Sequence, residues 1–215
     1  MLSNKKRKMV SSWDMLYPML SSLREMNIIE MRPYHSQSPC NRQVFLLASR
    51  HSVMVCEQSP SSNNLVIRDR SSRTTRFNIS GAQWDSNQID VYTSPDNPVG
   101  VIIEHCVYFK GESADTLHPL YRFKYVDPKL EGNSCKPQYK VLRLPDNLVV
   151  ANLILEGGLV TFQFDEIPAW IKAMIISYGI NRVLTTHRNE IMADTITSGV
   201  GHCNLGMNPI KVMST

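Results

Sequence analysis

The sequence predicts a mainly β chain, a closed antiparallel β-barrel wrapped around a buried hydrophobic C-terminal helix. The helix is the more informative part. After the alternating strand Val160-Thr-Phe162-Gln-Phe164 the chain passes Asp165-Glu166-Ile167-Pro168 and enters Ala169–Leu184, which is apolar on nearly every face. A helix apolar all round must be enclosed by protein or lipid. A bilayer span needs about 20 uninterrupted apolar residues, and Lys172, Ser177, Asn181 and Arg182 break this run. Protein is therefore the expected enclosure. Short strands fill most of the chain ahead of it, and a meander closed around one helix satisfies both observations.

The strands are expected at 28–32, 43–48, 52–57, 65–70, 75–80, 88–94, 99–105, 120–126, 139–144, 148–155 and 159–164. Alternation marks several: Phe77 and Ile79 oppose Arg76 and Asn78, Ile89 and Val91 flank Asp90, and Tyr121, Phe123 and Tyr125 oppose Arg122 and Lys124. Turn residues separate them at Ser59–Asn64, Ser94–Pro98, Asp127-Pro128 and Leu144–Asn147. Ahead of the strands, Trp13, Leu16, Leu20 and Leu23 fall near helical spacing, so Ser11–Met26 is expected to be a short helix that Pro18 limits or kinks. The expected organisation is a basic flexible arm at 1–10, a barrel domain with its central helix at 11–184, and an irregular tail at 185–215.

Charge is concentrated at one place. Lys5, Lys6, Arg7 and Lys8 form a basic cluster, and without those four the remaining 19 basic residues balance 19 acidic ones. A general nucleic-acid binder carries its charge on the folded face. Here the arm alone could meet anionic lipid, nucleic acid or a nuclear import receptor. The five cysteines are scattered, with no C-x-x-C pair, which argues against a disulfide framework and a zinc site. His105 and Cys106 are neighbours in an expected strand and so point to opposite faces.

No G-x-S-x-G, H-E-x-x-H or Walker sequence is present. The glycine-rich stretch Gly199–Gly206 does not sit between a strand and a helix, so a phosphate cradle is not expected there. Asp165 and Glu166 stand where a helix N-terminus favours negative charge. Lys172, inside the apolar helix, is expected to snorkel to the barrel mouth or to pair with Asp165 or Glu166. These features do not assemble a conventional catalytic site.

Several motifs, taken in order, resemble the phospholipid scramblase family of the tubby-like barrel superfamily. The most specific is Ile89-Asp-Val-Tyr-Thr-Ser-Pro95-Asp-Asn-Pro98-Val-Gly100-Val-Ile. Arg42-Gln-Val-Phe-Leu-Leu-Ala48, Leu65–Asp69 with Arg76–Ile79, Phe162-Gln-Phe164 and Ile171-Lys-Ala-Met-Ile-Ile176 are similar to further family segments, so the likeness runs from about residue 28 to 184. The resemblance implies a twelve-stranded barrel around the helix segment that holds Trp170, Ile171, Lys172, Met174, Ile175 and Ile176. It also implies calcium-dependent, ATP-independent movement of phospholipids between leaflets at the cytoplasmic face of the plasma membrane, with anionic phospholipids as partners.

The chain departs from the family in three respects. It lacks the Pro-rich N-terminal region. It has no cysteine cluster around Ala82–Asn87 for acylation, and the acidic calcium segment is shortened to Leu153–Gly158. Calcium takes about six to eight oxygen ligands, and Glu156, Asp165 and Glu166 are the carboxylates on hand. These departures give weight to a second expectation, a non-catalytic binding module of the same fold that is membrane-peripheral or nuclear. On either reading, the basic cluster and exposed apolar surface near Trp13, Leu16 and Leu20 are the expected membrane contacts.

Overall fold

The structure is a computed structural model. It describes residues 16–34, 43–50, 52–59, 62, 64–81, 88–109, 118–127, 136–156 and 158–199, without the side chains of 43 and 187–199. Lys5, Lys6, Arg7, Lys8, Trp13 and Cys203 lie outside the described residues.

Twelve strands close into one barrel in simple meander order: β1 (Ile28–Pro33), β2 (Gln43–Ala48), β3 (Val53–Gln58), β4 (Leu65–Asp69), β5 (Thr75–Ser80), β6 (Gln88–Ser94), β7 (Asn97–Ile103), β8 (Cys106–Phe109), β9 (Tyr121–Val126), β10 (Gln138–Arg143), β11 (Leu148–Glu156) and β12 (Leu159–Phe164). Antiparallel pairing of β1 with β12, Ile29 opposite Phe162 and Met31 opposite Val160, closes the ring and removes both sheet edges. The expected strand at 99–105 ends earlier than the sequence suggested. Glu104 and His105 both adopt left-handed backbone, φ 47° and 72°, and turn the chain into the extra strand β8. Two-residue hairpin turns with both φ values positive usually carry Asn or Gly, so Glu-His leaves no turn signal to read.

The alternation works as expected. Phe45, Leu47, Met54, Cys56, Phe77, Ile79, Val91, Phe123, Val141, Leu153 and Phe162 turn inward into one apolar cluster. Helix α1 (Ala169–Gly199) supplies the other half of that cluster. Every residue from Ala169 to Asn181 is buried, and burial falls away from Arg182 onward. Thirteen helical residues rise roughly 20 Å, about the length of a six-residue strand. The buried stretch therefore matches the height of the wall. Phe109 packs edge-on to Trp170, Phe123 stacks on Tyr178, and the Gly179 Cα faces the Phe162 ring so closely that a Cβ would sit 2.5 Å from it. Glycine at 179 lets the helix touch the wall there.

The helix does not stop at Leu184. It continues to Gly199, so the first part of the expected irregular tail is helical. Extending an existing helix needs no new nucleus, and each added residue gains a bond. Thr185 and Thr186 donate back to the carbonyls of Asn181 and Arg182, which absorbs their hydroxyls within the helix.

The expected helix at Ser11–Met26 changes character at Pro18. Residues 11–15 lie outside the described residues, Leu16 is helical, and Pro18–Leu23 is a 3-10 helix with the proline in the first turn. Leu20, Leu23 and Met26 are buried, and the Tyr17 hydroxyl donates to Pro98 O at 2.9 Å. This segment closes the end of the barrel where α1 begins. Leu20 is therefore core and unavailable to a membrane, whereas Leu16 is 56% exposed. Among the described residues no helix is long and apolar enough to cross a membrane.

Candidate functional site: the open end and its basic outer wall

The helix residues singled out in the sequence make up the barrel core. Trp170, Ile171, Met174, Ile175 and Ile176 are fully or almost fully buried against the inner wall. Lys172 is 1% exposed. Its Nζ donates to Arg24 O at 2.9 Å and Met26 O at 2.8 Å, and it lies 5.4 Å from the centre of the Phe164 ring. At that burial the ammonium reaches the closing segment and not solvent, which corrects the expectation of snorkelling. The closing N-terminal segment presents its own carbonyls to the ammonium, so the cation is solvated by backbone.

The three candidate calcium carboxylates are not brought together. Glu156 ends β11 and pairs with Lys136. Asp165 and Glu166 follow the far end of β12, exposed, with the Asp165 N–H donating to Val150 O. A six-residue strand of roughly 20 Å separates the two groups. Among the described residues no three His, Cys, Asp or Glu side chains are placed to hold a metal ion. The donor set does not fit calcium, and no chemistry is derived from it.

The other end of the barrel, where α1 leaves, is different. A cleft of ≈ 360 Å³ opens there between His105, Phe123, Tyr125, Tyr139 and Arg182. The β7–β8 turn holds His105 over the helix, where its Nδ1 lies 2.7 Å from the Tyr178 hydroxyl. Burial pushes the Tyr178 phenol well above its ordinary pKa, so a protonated hydroxyl meets the ring nitrogen. Burial, then the Arg182 charge, holds His105 below its ordinary pKa, against an opposing contribution from Glu104. Arg182 is half-buried. Its Nε donates to the Tyr139 hydroxyl at 3.2 Å, and its guanidinium carbon sits 5.7 Å and 5.8 Å from the ring centres of Tyr139 and Tyr178.

The sequence singled out Arg182 only as a break in an apolar run, and did not single out His105, Tyr139 and Tyr178 as partners. They come from β10, a two-residue turn and one helix, and no local pattern links them.

Beside this cleft the outer face of β9–β11 is basic. Lys124 on β9 stands directly opposite Lys140 on β10, and Arg122 stands opposite Leu142, which in turn faces Val149. Together with Tyr125 and Asn147 these residues line a shallow groove of ≈ 800 Å³. Leu148 and Tyr125 are 53% and 50% exposed. Compared with known proteins, the chain matches no family model, no curated relative and no solved structure.

Proposed function

We propose that this chain is a membrane-peripheral binding module that holds anionic phospholipid headgroups on the outer wall of β9–β11. The carrying observation is the in-register pair Lys124 and Lys140 with Arg122 on the same face. Three cations on one face of neighbouring strands give an anion a place to be received. Val149, 36% exposed, lines the same groove, and apolar surface beside cations suits the boundary between headgroups and acyl chains. Basic residues near an anionic surface are each worth about 1 kcal/mol, and Lys5, Lys6, Arg7 and Lys8 would add to that attraction.

The scramblase resemblance supports the lipid class. Translocation itself asks more of this architecture. If α1 left the barrel, Ile171, Met174, Ile175, Ile176 and Ile180 would all leave full burial, at roughly 1.5–3 kcal/mol each, and the lysine lock would open. Binding needs none of this.

The test is co-sedimentation with phosphatidylserine vesicles against phosphatidylcholine vesicles. Binding should favour phosphatidylserine and weaken with salt, and Lys124→Gln with Lys140→Gln should remove most of it. Removing residues 1–9 should weaken it further. Unchanged binding by the double variant would sink the proposal. A labelled-lipid transfer assay on the same vesicles should show no acceleration, and a protein-dependent rate would favour the scramblase reading.

A further inference from the structure

The cleft at the open end adjoins the outer wall, sharing Phe123 and Tyr125 with its groove, and has its own chemistry. Among the described residues the Arg182 side chain makes no ion pair, and its only hydrogen bond is the one from Nε to Tyr139. A half-buried guanidinium normally finds a carboxylate, because removing a charge from water is costly without a partner. Here the two tyrosine rings hold it in place by their faces. With Nε engaged, the two terminal nitrogens remain as a fork of parallel donors, a geometry that matches an oxyanion with two oxygens. His105 lines the same cleft, with its Nδ1 engaged by Tyr178 and Nε2 as its remaining ring nitrogen. The remaining lining is aromatic: Phe123, Tyr125 and Tyr139. Glu104 is the acidic neighbour in the turn; it is exposed and bonds to neither cleft donor.

We propose that this cleft binds a small oxyanion carried on an aromatic body, its oxygens on Arg182 and His105 and its ring against Tyr125, Tyr139 and Phe123. The volume, ≈ 360 Å³, lies at the small end of the range for ligand sites, which suits one ring and one acidic group. Convergent polar groups above an apolar, ring-lined floor are the usual composition of a small-molecule site. The proposal does not depend on the membrane reading, because Lys124 and Lys140 take no part in the cleft.

The experiment is calorimetric titration of the full chain with phenyl phosphate and, separately, inorganic phosphate. Phenyl phosphate should bind saturably at one site, about tenfold or more tighter than inorganic phosphate, because only it reaches the rings. Arg182→Gln should lose about tenfold or more in affinity with little change in thermal midpoint. Tyr125→Ser, at a half-exposed position where folding is not at stake, should narrow the gap between the two probes. Lys124→Gln with Lys140→Gln should leave phenyl phosphate binding unchanged while lowering vesicle binding. Absence of saturable phenyl phosphate binding at millimolar concentration would overturn the proposal. So would equal affinity for the two probes, or retention of full affinity by both Arg182→Gln and Tyr125→Ser.

Discussion

Lys172 and Arg182 lie ten residues apart on one helix, about 15 Å along its axis, yet the two ends of the barrel treat them in opposite ways. At the closed end the chain from Tyr17 to Met26 folds over the opening and turns two carbonyls onto the Lys172 ammonium. At the open end Arg182 is gripped by aromatic faces and one phenol, and its terminal nitrogens face a cleft. The first arrangement completes the cation with backbone and excludes a ligand. The second holds the cation still without neutralising it. In one helix, a flexible stem with a compact charge serves as a lock, and a planar fork serves as a receptor.

The comparison breaks most completely in the middle, where both ends share the core. Ile175→Asp should cost roughly 4 kcal/mol or more, because a lone carboxylate would be buried among apolar side chains. A soluble variant with an unchanged thermal midpoint would show that α1 is not enclosed. The two cations should then separate clearly in chemical denaturation. Lys172→Ala should cost about 3 kcal/mol, since it opens a cavity and strands two buried carbonyls. Lys172→Met, which refills the space, should recover part of that loss. Arg182→Ala should cost under about 1 kcal/mol. Equal losses at the two positions would end the distinction between lock and receptor.

Acid should have its larger effect at the closed end. Asp69 accepts from the Ser71 hydroxyl, from the N–H groups of Ser71 and Ser72, and from Arg76. Those bonds, the Ser71 hydroxyl first, hold its carboxyl well below the usual carboxylate range. A carboxylate with a depressed native pKa adds stability above its ordinary value near 4 and loses it as pH falls through the native value. Stability should therefore decline below about pH 4, and Asp69→Asn should flatten that decline by on the order of 1 kcal/mol. An unchanged acid limb would assign the loss to other groups.

The smallest effect belongs to the open end. The imidazole of His105 should titrate below its ordinary value when followed by NMR, and Arg182→Gln should move it upward by removing a neighbouring positive charge. The sign for stability follows: the native state favours the neutral ring, so this group contributes above its unfolded pKa and loses that contribution as pH falls. A downward movement in the variant would mean that the Arg182 charge does not act on His105.

Sequence alone determined the barrel and its central helix, because both are written in local period. Alternation at Phe77–Ile79 and Ile89–Val91 can be buried only on one face of a sheet, and the apolar circumference of Ala169–Ile180 can be buried only inside something. Strand β8 escaped notice because Glu104 and His105 turn the chain with left-handed backbone that neither residue type announces. The partners of the two helix cations escaped for a different reason. Lys172 meets Arg24 and Met26, almost 150 residues away, and Arg182 meets Tyr139 across 43 residues. Such contacts carry no periodic trace. They exist only once the ring has closed and has brought the N-terminal segment to one end and the β7–β8 turn to the other. Period decides which residues are buried, but closure decides which buried or half-buried charge is answered by backbone and which is left facing a cleft.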